Sequence, residues 1–176
     1  MRDYMHKLED AGAECIVIPC NTAHYWFKEL KDACHIDILS IIDTTVDEVR
    51  VCGKTRIGLL ATDATLYMGL YQKGIESLGF NYITPDADGQ KNVMKSIYSL
   101  KAGNVTHAQK LMEEQAENLF SRGAEILILG CTEIPIILSQ AVKDQPLRYI
   151  DSTASLVRAG IKWYENRIGK DQHLTQ

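Results

Sequence analysis

Residues 123–132 read Gly123-Ala124-Glu125-Ile126-Leu127-Ile128-Leu129-Gly130-Cys131-Thr132. Four consecutive branched apolar residues between glycines predict a short strand buried on both faces of a parallel sheet. A polar pair, Thr132-Glu133, follows the cysteine and predicts the start of a helix. The same order occurs earlier, as Gly12-Ala13-Glu14-Cys15-Ile16-Val17-Ile18-Pro19-Cys20-Asn21-Thr22. The offset is constant, since 123 − 12 and 131 − 20 both give 111. Two related lobes, each presenting a cysteine just past a strand, are the simplest account of such a repeat. A weaker echo relates Ile42-Asp43-Thr44-Thr45 to Ile150-Asp151-Ser152-Thr153.

Working outward, apolar runs predict strands over 15–19, 36–41, 56–61, 80–84, 126–129 and 148–150. Amphipathic stretches predict helices over 1–11, 22–34, 44–51, 64–78, 90–101, 106–122, 133–140 and 152–167. Gly12, Gly53, Gly79, Gly103 and Gly123 stand where helices should stop. Strand and helix alternate, so the expected class is α/β with doubly wound parallel sheets. The polar tail, 170–176, is expected to fray. Met1, Tyr4, Met5 and Leu8 already form an apolar helical stripe with no capping residue ahead of it. The expectation is a first lobe that is incomplete at its N-terminus.

Composition narrows the function classes. With 45% hydrophobic and 24% charged residues, the 176-residue chain can bury a core and is not a disordered sequence. The 19 basic and 23 acidic residues form no basic patch, so nucleic acid is not an expected partner. No apolar run approaches a membrane span, and Met1-Arg2-Asp3-Tyr4 lacks the apolar stretch of a signal peptide. Cytoplasmic location with reduced thiols is the default expectation. The five cysteines, at 15, 20, 34, 52 and 131, are odd in number and contain no Cys-x-x-Cys. That argues against a disulfide framework and a zinc ribbon. The five histidines, at 6, 24, 35, 107 and 173, show no metal-ligand spacing. No phosphate-binding glycine loop is present.

Cys20 and Cys131 share a context that Cys15, Cys34 and Cys52 lack: strand end, cysteine, polar cap. Each reads either as a small residue closing a core strand or as a reactive thiol. Ligands of open α/β sheets bind at the strands' carboxyl ends, and a following helix dipole is expected to lower the thiol pKa. Two thiols facing one ligand suit inversion of a carbon stereocentre: one thiolate removes a proton, the other thiol returns one to the opposite face.

Pro19-Cys20-Asn21-Thr22-Ala23-His24 and Gly130-Cys131-Thr132-Glu133-Ile134-Pro135 resemble the two cysteine motifs of the aspartate/glutamate racemase family. Gly58-Leu59-Leu60-Ala61-Thr62 with Thr65, then Gln90, Val93-Met94, Ile97-Tyr98 and Lys101-Ala102-Gly103-Asn104, resemble its aspartate-racemase branch. The resemblance implies two pseudo-symmetric α/β lobes, residues 1–51 with 147–176 and residues 52–146, with the site in the cleft between them. It implies a cofactor-independent homodimer interconverting L- and D-aspartate, with glutamate as the other candidate substrate. It makes Cys20 and Cys131 the acid/base thiols, and Asn21, Thr22, Thr62, Lys101 and Thr132 substrate-binding residues. Lys101 reads equally as a helix C-terminal lysine favoured by the dipole. His24, four residues after Cys20, shares its helix face or is simply packed. Glu133 reads as a charge at a helix start, and Asp43 and Asp151 as N-caps. The family's opening strand, glycine-rich loop and substrate-binding arginine have no counterpart here, so an inactive paralogue and a related isomerase stay open as alternatives.

Overall fold

Where each apolar run was expected to form a strand, a parallel strand forms. The computed structural model describes residues 1–173; 174–176, the end of the polar tail, lie outside the described residues. The larger sheet has the order β4-β3-β5-β6 (Asn81–Ile83, Arg56–Ala61, Ile126–Gly130, Tyr149–Asp151), all parallel. A second sheet pairs β1 (Cys15–Val17) with β2 (Asp37–Leu39), also parallel.

Side-chain alternation along β3 and β5 divides the core in two. Ile57, Leu59 and Ala61 of β3, with Ile126 and Ile128 of β5, face α3 (Ile41–Val51), α5 (Gln72–Ser77) and the first turns of α10 (Ser152–His173). Leu60, Leu127 and Leu129 face the opposite way, onto α6 (Ala87–Lys101), α7 (Val105–Ser121) and α8 (Ile134–Ile137). Helices on both faces make the sheet doubly wound and explain why its central strands are apolar beyond the exposed Arg56 at the start of β3. A small third core joins Met5 of α1 (Arg2–Asp10), Ile16, Leu30 of α2 (Phe27–Asp32) and Ile38. Measured against the lobes expected at 1–51 with 147–176 and at 52–146, α3 and β6 pack with the larger sheet. The long α10 spans both units. Arg158 makes two 2.7 Å hydrogen bonds to Glu48 on α3, and farther along Trp163 Nε1 donates to Asp37 at 2.6 Å.

Three of the expected helices form in two pieces each. The stretch 22–34 begins as a 3-10 turn (Thr22–Trp26) before α2. The stretch 64–78 breaks into α4 (Asp63–Tyr67) and α5, because Gly69 takes φ +65°. The stretch 133–140 splits into α8 and α9 (Ser139–Asp144). Helix α3 starts three residues early: Ser40 is its N-cap, accepting from the Asp43 N–H at 3.1 Å, so Asp43 is not a cap. Asp151 does cap α10, accepting from Thr153 N–H at 2.8 Å. The weak echo between these two segments is therefore not a structural equivalence. No described helix is long and apolar enough to cross a membrane.

Close packing of the two sides sets one strict position. A Cβ built on Gly58 would lie 2.2 Å from Leu127 Cδ2 and 3.1 Å from Ala124 Cβ. Since Leu127 is fully buried, Gly58→Ala is expected to destabilise the fold by about 1–3 kcal/mol through overpacking. Urea denaturation of the variant, with the m-value checked for constancy, measures this; unchanged stability would mean that the α7 face yields freely.

Candidate active site

The two cysteines emerge at equivalent points of the two sheets and meet different surroundings. Alternation at the end of β5 turns Gly130 toward α5 and Cys131 toward the α6–α7 side, where Cys131 is buried. Its thiol donates a hydrogen bond to Glu133 Oε2 at 2.9 Å, and Thr132 Oγ1 donates to the same oxygen at 3.1 Å. The other oxygen, Oε1, lies 3.0 Å from Lys101 Nζ, which reaches it from the last turn of α6. Lys101 is thus more than a dipole-favoured helix end, and Glu133 more than a helix-start charge.

The electrostatics of this trio overturn the expected acidic thiol at Cys131. Burial, and then the Glu133 carboxylate, push the Cys131 thiol up to about 12. Burial alone would raise Glu133 too, but hydrogen bonds from Cys131 and Lys101 hold it down at about 2. The dipole expectation fails because α8 is one turn long and begins three residues after the sulfur. The two shifts run in opposite directions and keep the proton on sulfur. Cys131 is thus a thiol held on a carboxylate.

Cys20 is exposed. Its loop is fixed from beneath by His24, whose Nδ1–H donates to the Cys20 carbonyl at 2.8 Å. The other nitrogen, Nε2, accepts from the Ile41 N–H at 3.1 Å, satisfying an otherwise unpaired donor in the first turn of α3. Both bonds hold together only in the neutral Nδ1–H tautomer. His24 is buried and stacked on Phe27. It is therefore a packed residue of the Cys20 loop, not a group beside the thiol.

Thr22, two residues after Cys20, joins the small sheet to the larger. Its hydroxyl lies 3.0 Å from both Thr62 Oγ1 and Thr65 Oγ1, which are 2.9 Å from each other. Thr65 is fully buried, whereas Thr22 and Thr62 are only half-buried. Thr62 also caps α4, accepting from the Thr65 N–H at 3.3 Å. Asn21, expected at the substrate, is instead buried, its amide bonded to Tyr71 and Ser152. The geometry thus yields two clusters: Cys131-Thr132-Glu133-Lys101, and Thr22-Thr62-Thr65 beside Cys20. The sequence reading missed Glu133 as a thiol partner, and missed Tyr71 and Ser152 altogether; the polar Glu at the position after Cys-Thr was the available signal. Among the described residues no group of three or more His, Cys, Asp or Glu is arranged to hold a metal ion.

A doubly wound α/β fold with two thiol-bearing loops at the carboxyl ends of parallel strands defines a class of small-molecule enzyme scaffold. Comparison with known proteins narrows it. The chain belongs to the Asp/Glu/hydantoin racemase family, whose model matches residues 1–160. It is 40% identical over 139 residues to an uncharacterised protein of the pnlA 3′ region of Pectobacterium carotovorum, covering 79% of this chain and 93% of that one. It is 31% identical to the broad specificity amino-acid racemase RacX of Bacillus subtilis, over 90% of this chain and 68% of the relative. The Picrophilus torridus aspartate racemase structure superposes with a TM-score of 0.78 at 31% identity, over 90% of this chain and 67% of that one. The chain spans about half the length of the curated glutamate racemases it matches, 55% of that of Persephonella marina.

Two predictions follow from the electrostatics. Glu133→Gln keeps the shape but removes the charge, so Cys131 should ionise at lower pH. Its alkylation by iodoacetamide at pH 9, followed on the Cys131 peptide by mass spectrometry, should quicken on the order of tenfold or more. Slower alkylation would mean that the carboxylate draws the proton off. The second concerns His24, whose pKa burial holds below the ordinary 6.5. The unfolded chain then binds the proton more readily, so its neutral-state stability is full above that value and is lost as pH falls below it. The urea midpoint should therefore drop between pH 7.5 and 5.5, and His24→Gln should flatten the drop.

Proposed function

We propose that this protein is a cofactor-independent amino-acid racemase working by two-base proton transfer between Cys20 and Cys131. The observation that carries the reading is the Cys131 thiol held at 2.9 Å on the Glu133 carboxylate. A buried thiol with its proton kept and aimed is a proton donor waiting for a carbanion. Cys20, exposed on its loop, is suited as thiolate to removing the α-proton. In that direction the Cα–H bond breaks as an S–H bond forms on Cys20. The S–H bond of Cys131 then breaks as a new Cα–H bond forms on the opposite face. The reverse direction starts from the Cys131 thiolate, which the Lys101 ammonium and the substrate's own ammonium favour.

The carbanion is borne as an enolate on the substrate carboxylate, which needs donors aimed at it. The half-buried hydroxyls of Thr22 and Thr62 can rotate outward to supply them, with Thr65 closing the ring behind. Thr132 lines the Cys131 side. Lys101, half exposed beyond Glu133, is suited to a second carboxylate. That supports aspartate first and glutamate second, since one methylene in a fitted pocket is worth only about 1–3 kcal/mol. The same reading takes the protein to be a homodimer.

Incubation in D2O with each enantiomer of aspartate and glutamate, followed by NMR and chiral chromatography, tests this. The wild type should lose the α-proton from both enantiomers of one amino acid and interconvert them. Cys20→Ala and Cys131→Ala should each lower interconversion by about 10²- to 10⁴-fold. Interconversion that survives either substitution would sink the two-thiol mechanism.

A further inference from the structure

Beneath the two cysteine loops lies a fully buried polar chain to which the chemistry just described assigns no part. Tyr71, at the start of α5, is wholly inaccessible, and so is Ser152 at the start of α10; Asn21 is 3% exposed. The Tyr71 hydroxyl donates to Asn21 Oδ1. Asn21 Nδ2 donates to Ser152 Oγ at 3.2 Å, and Ser152 Oγ donates to the Leu129 carbonyl at 2.8 Å. The Ser152 proton fixes the direction of the chain. Ser152 spends its single proton on Leu129, so it must accept from the Asn21 amine, which turns the Asn21 carbonyl oxygen to Tyr71.

The chain's ends are what give it meaning. Asn21 is bonded covalently to Cys20, while Leu129 lies two residues before Cys131. The Tyr71 ring also packs beside the intervening glycine: a Cβ on Gly130 would fall 3.0 Å from Tyr71 Cε2. One side chain therefore lies against the chain neighbour of each cysteine. We infer that Tyr71 is a positioning residue that fixes the Cys20 loop relative to Cys131, acting through Asn21 and Gly130 without touching substrate. The inference deepens the two-thiol reading and rests on it for its catalytic consequence.

Inversion needs both sulfurs aligned on opposite faces of one carbon, and exchange needs only one. A displaced partner lets the carbanion recapture a solvent-derived proton on the face it lost one from. Tyr71→Phe leaves the ring and its packing but strands the Asn21 oxygen. Expected are a fall in inversion of about 10- to 100-fold and a smaller fall in α-proton exchange, so that the exchange-to-inversion ratio rises. Loss of folded protein would lower both together and leave the ratio unmoved. Amide hydrogen exchange supplies the second readout. Protection should fall at residues 18–24 and 129–133 of the variant and hold in the α6–α7 core. Should the wild type act on none of the amino acids, the racemase reading fails and the amide pattern alone decides the positioning role. An unchanged ratio with unchanged protection at both loops, or loosening spread evenly over the chain, would overturn the inference.

Discussion

The Asn21 amide is the joint on which the rest of the site hangs. It belongs to the small unit by chain connection and to the larger sheet by both its hydrogen bonds, to Tyr71 and Ser152. A buried amide left without partners costs several times what a satisfied one contributes, so this group admits one orientation of the Cys20 loop and penalises the others. The Thr22–Thr62–Thr65 hydroxyls repeat the join one residue later. His24 repeats it from below by tying the Cys20 carbonyl to the start of α3. Three neighbouring polar contacts, not apolar area, thus hold the first cysteine against the larger sheet. That suits a loop whose sulfur must stay exposed.

At Cys131 the constraint is electrostatic. Its burial is fixed by strand alternation, which leaves Gly130 for the Tyr71 ring and sends the sulfur to the other face. Desolvation and the facing carboxylate then keep it protonated. Glu133 can lie there ionised because Lys101 arrives from the end of α6 to offset its charge. The order of dependence runs from the helix end through the carboxylate to the thiol, and three separate elements have to be in register for it.

Much of this was legible beforehand. The strands appear at all six expected places, and the apolar runs of β3 and β5 have few alternatives once buried on both faces. The repeat located both cysteines for the same reason: it is written in the strands that end there. What escaped was tertiary. Neither Tyr71, at an unremarkable helix start, nor Ser152, beside a cap, carries a local signal that it will meet Asn21 across the fold. The expected low pKa at Cys131 rested on a helix dipole, a local argument. Burial of the sulfur and a carboxylate two residues away reversed it. Asp43 failed as a cap because Ser40, three residues earlier, met the same need at the true helix start.

The repeat also shows how two copies of one backbone came to hold unlike thiols. Counting from each cysteine, Asn21 corresponds to Thr132 and Thr22 to Glu133. The second position after the cysteine is therefore a neutral hydroxyl in one copy and a carboxylate in the other. In the first copy that side chain turns to Thr62 and Thr65, away from the sulfur's own loop. In the second it turns back onto the sulfur and holds the proton there. In the proposed two-base reaction one thiol gives a proton while the other takes one. On that mechanism, the change of a single side chain at equivalent positions sets the two thiols apart.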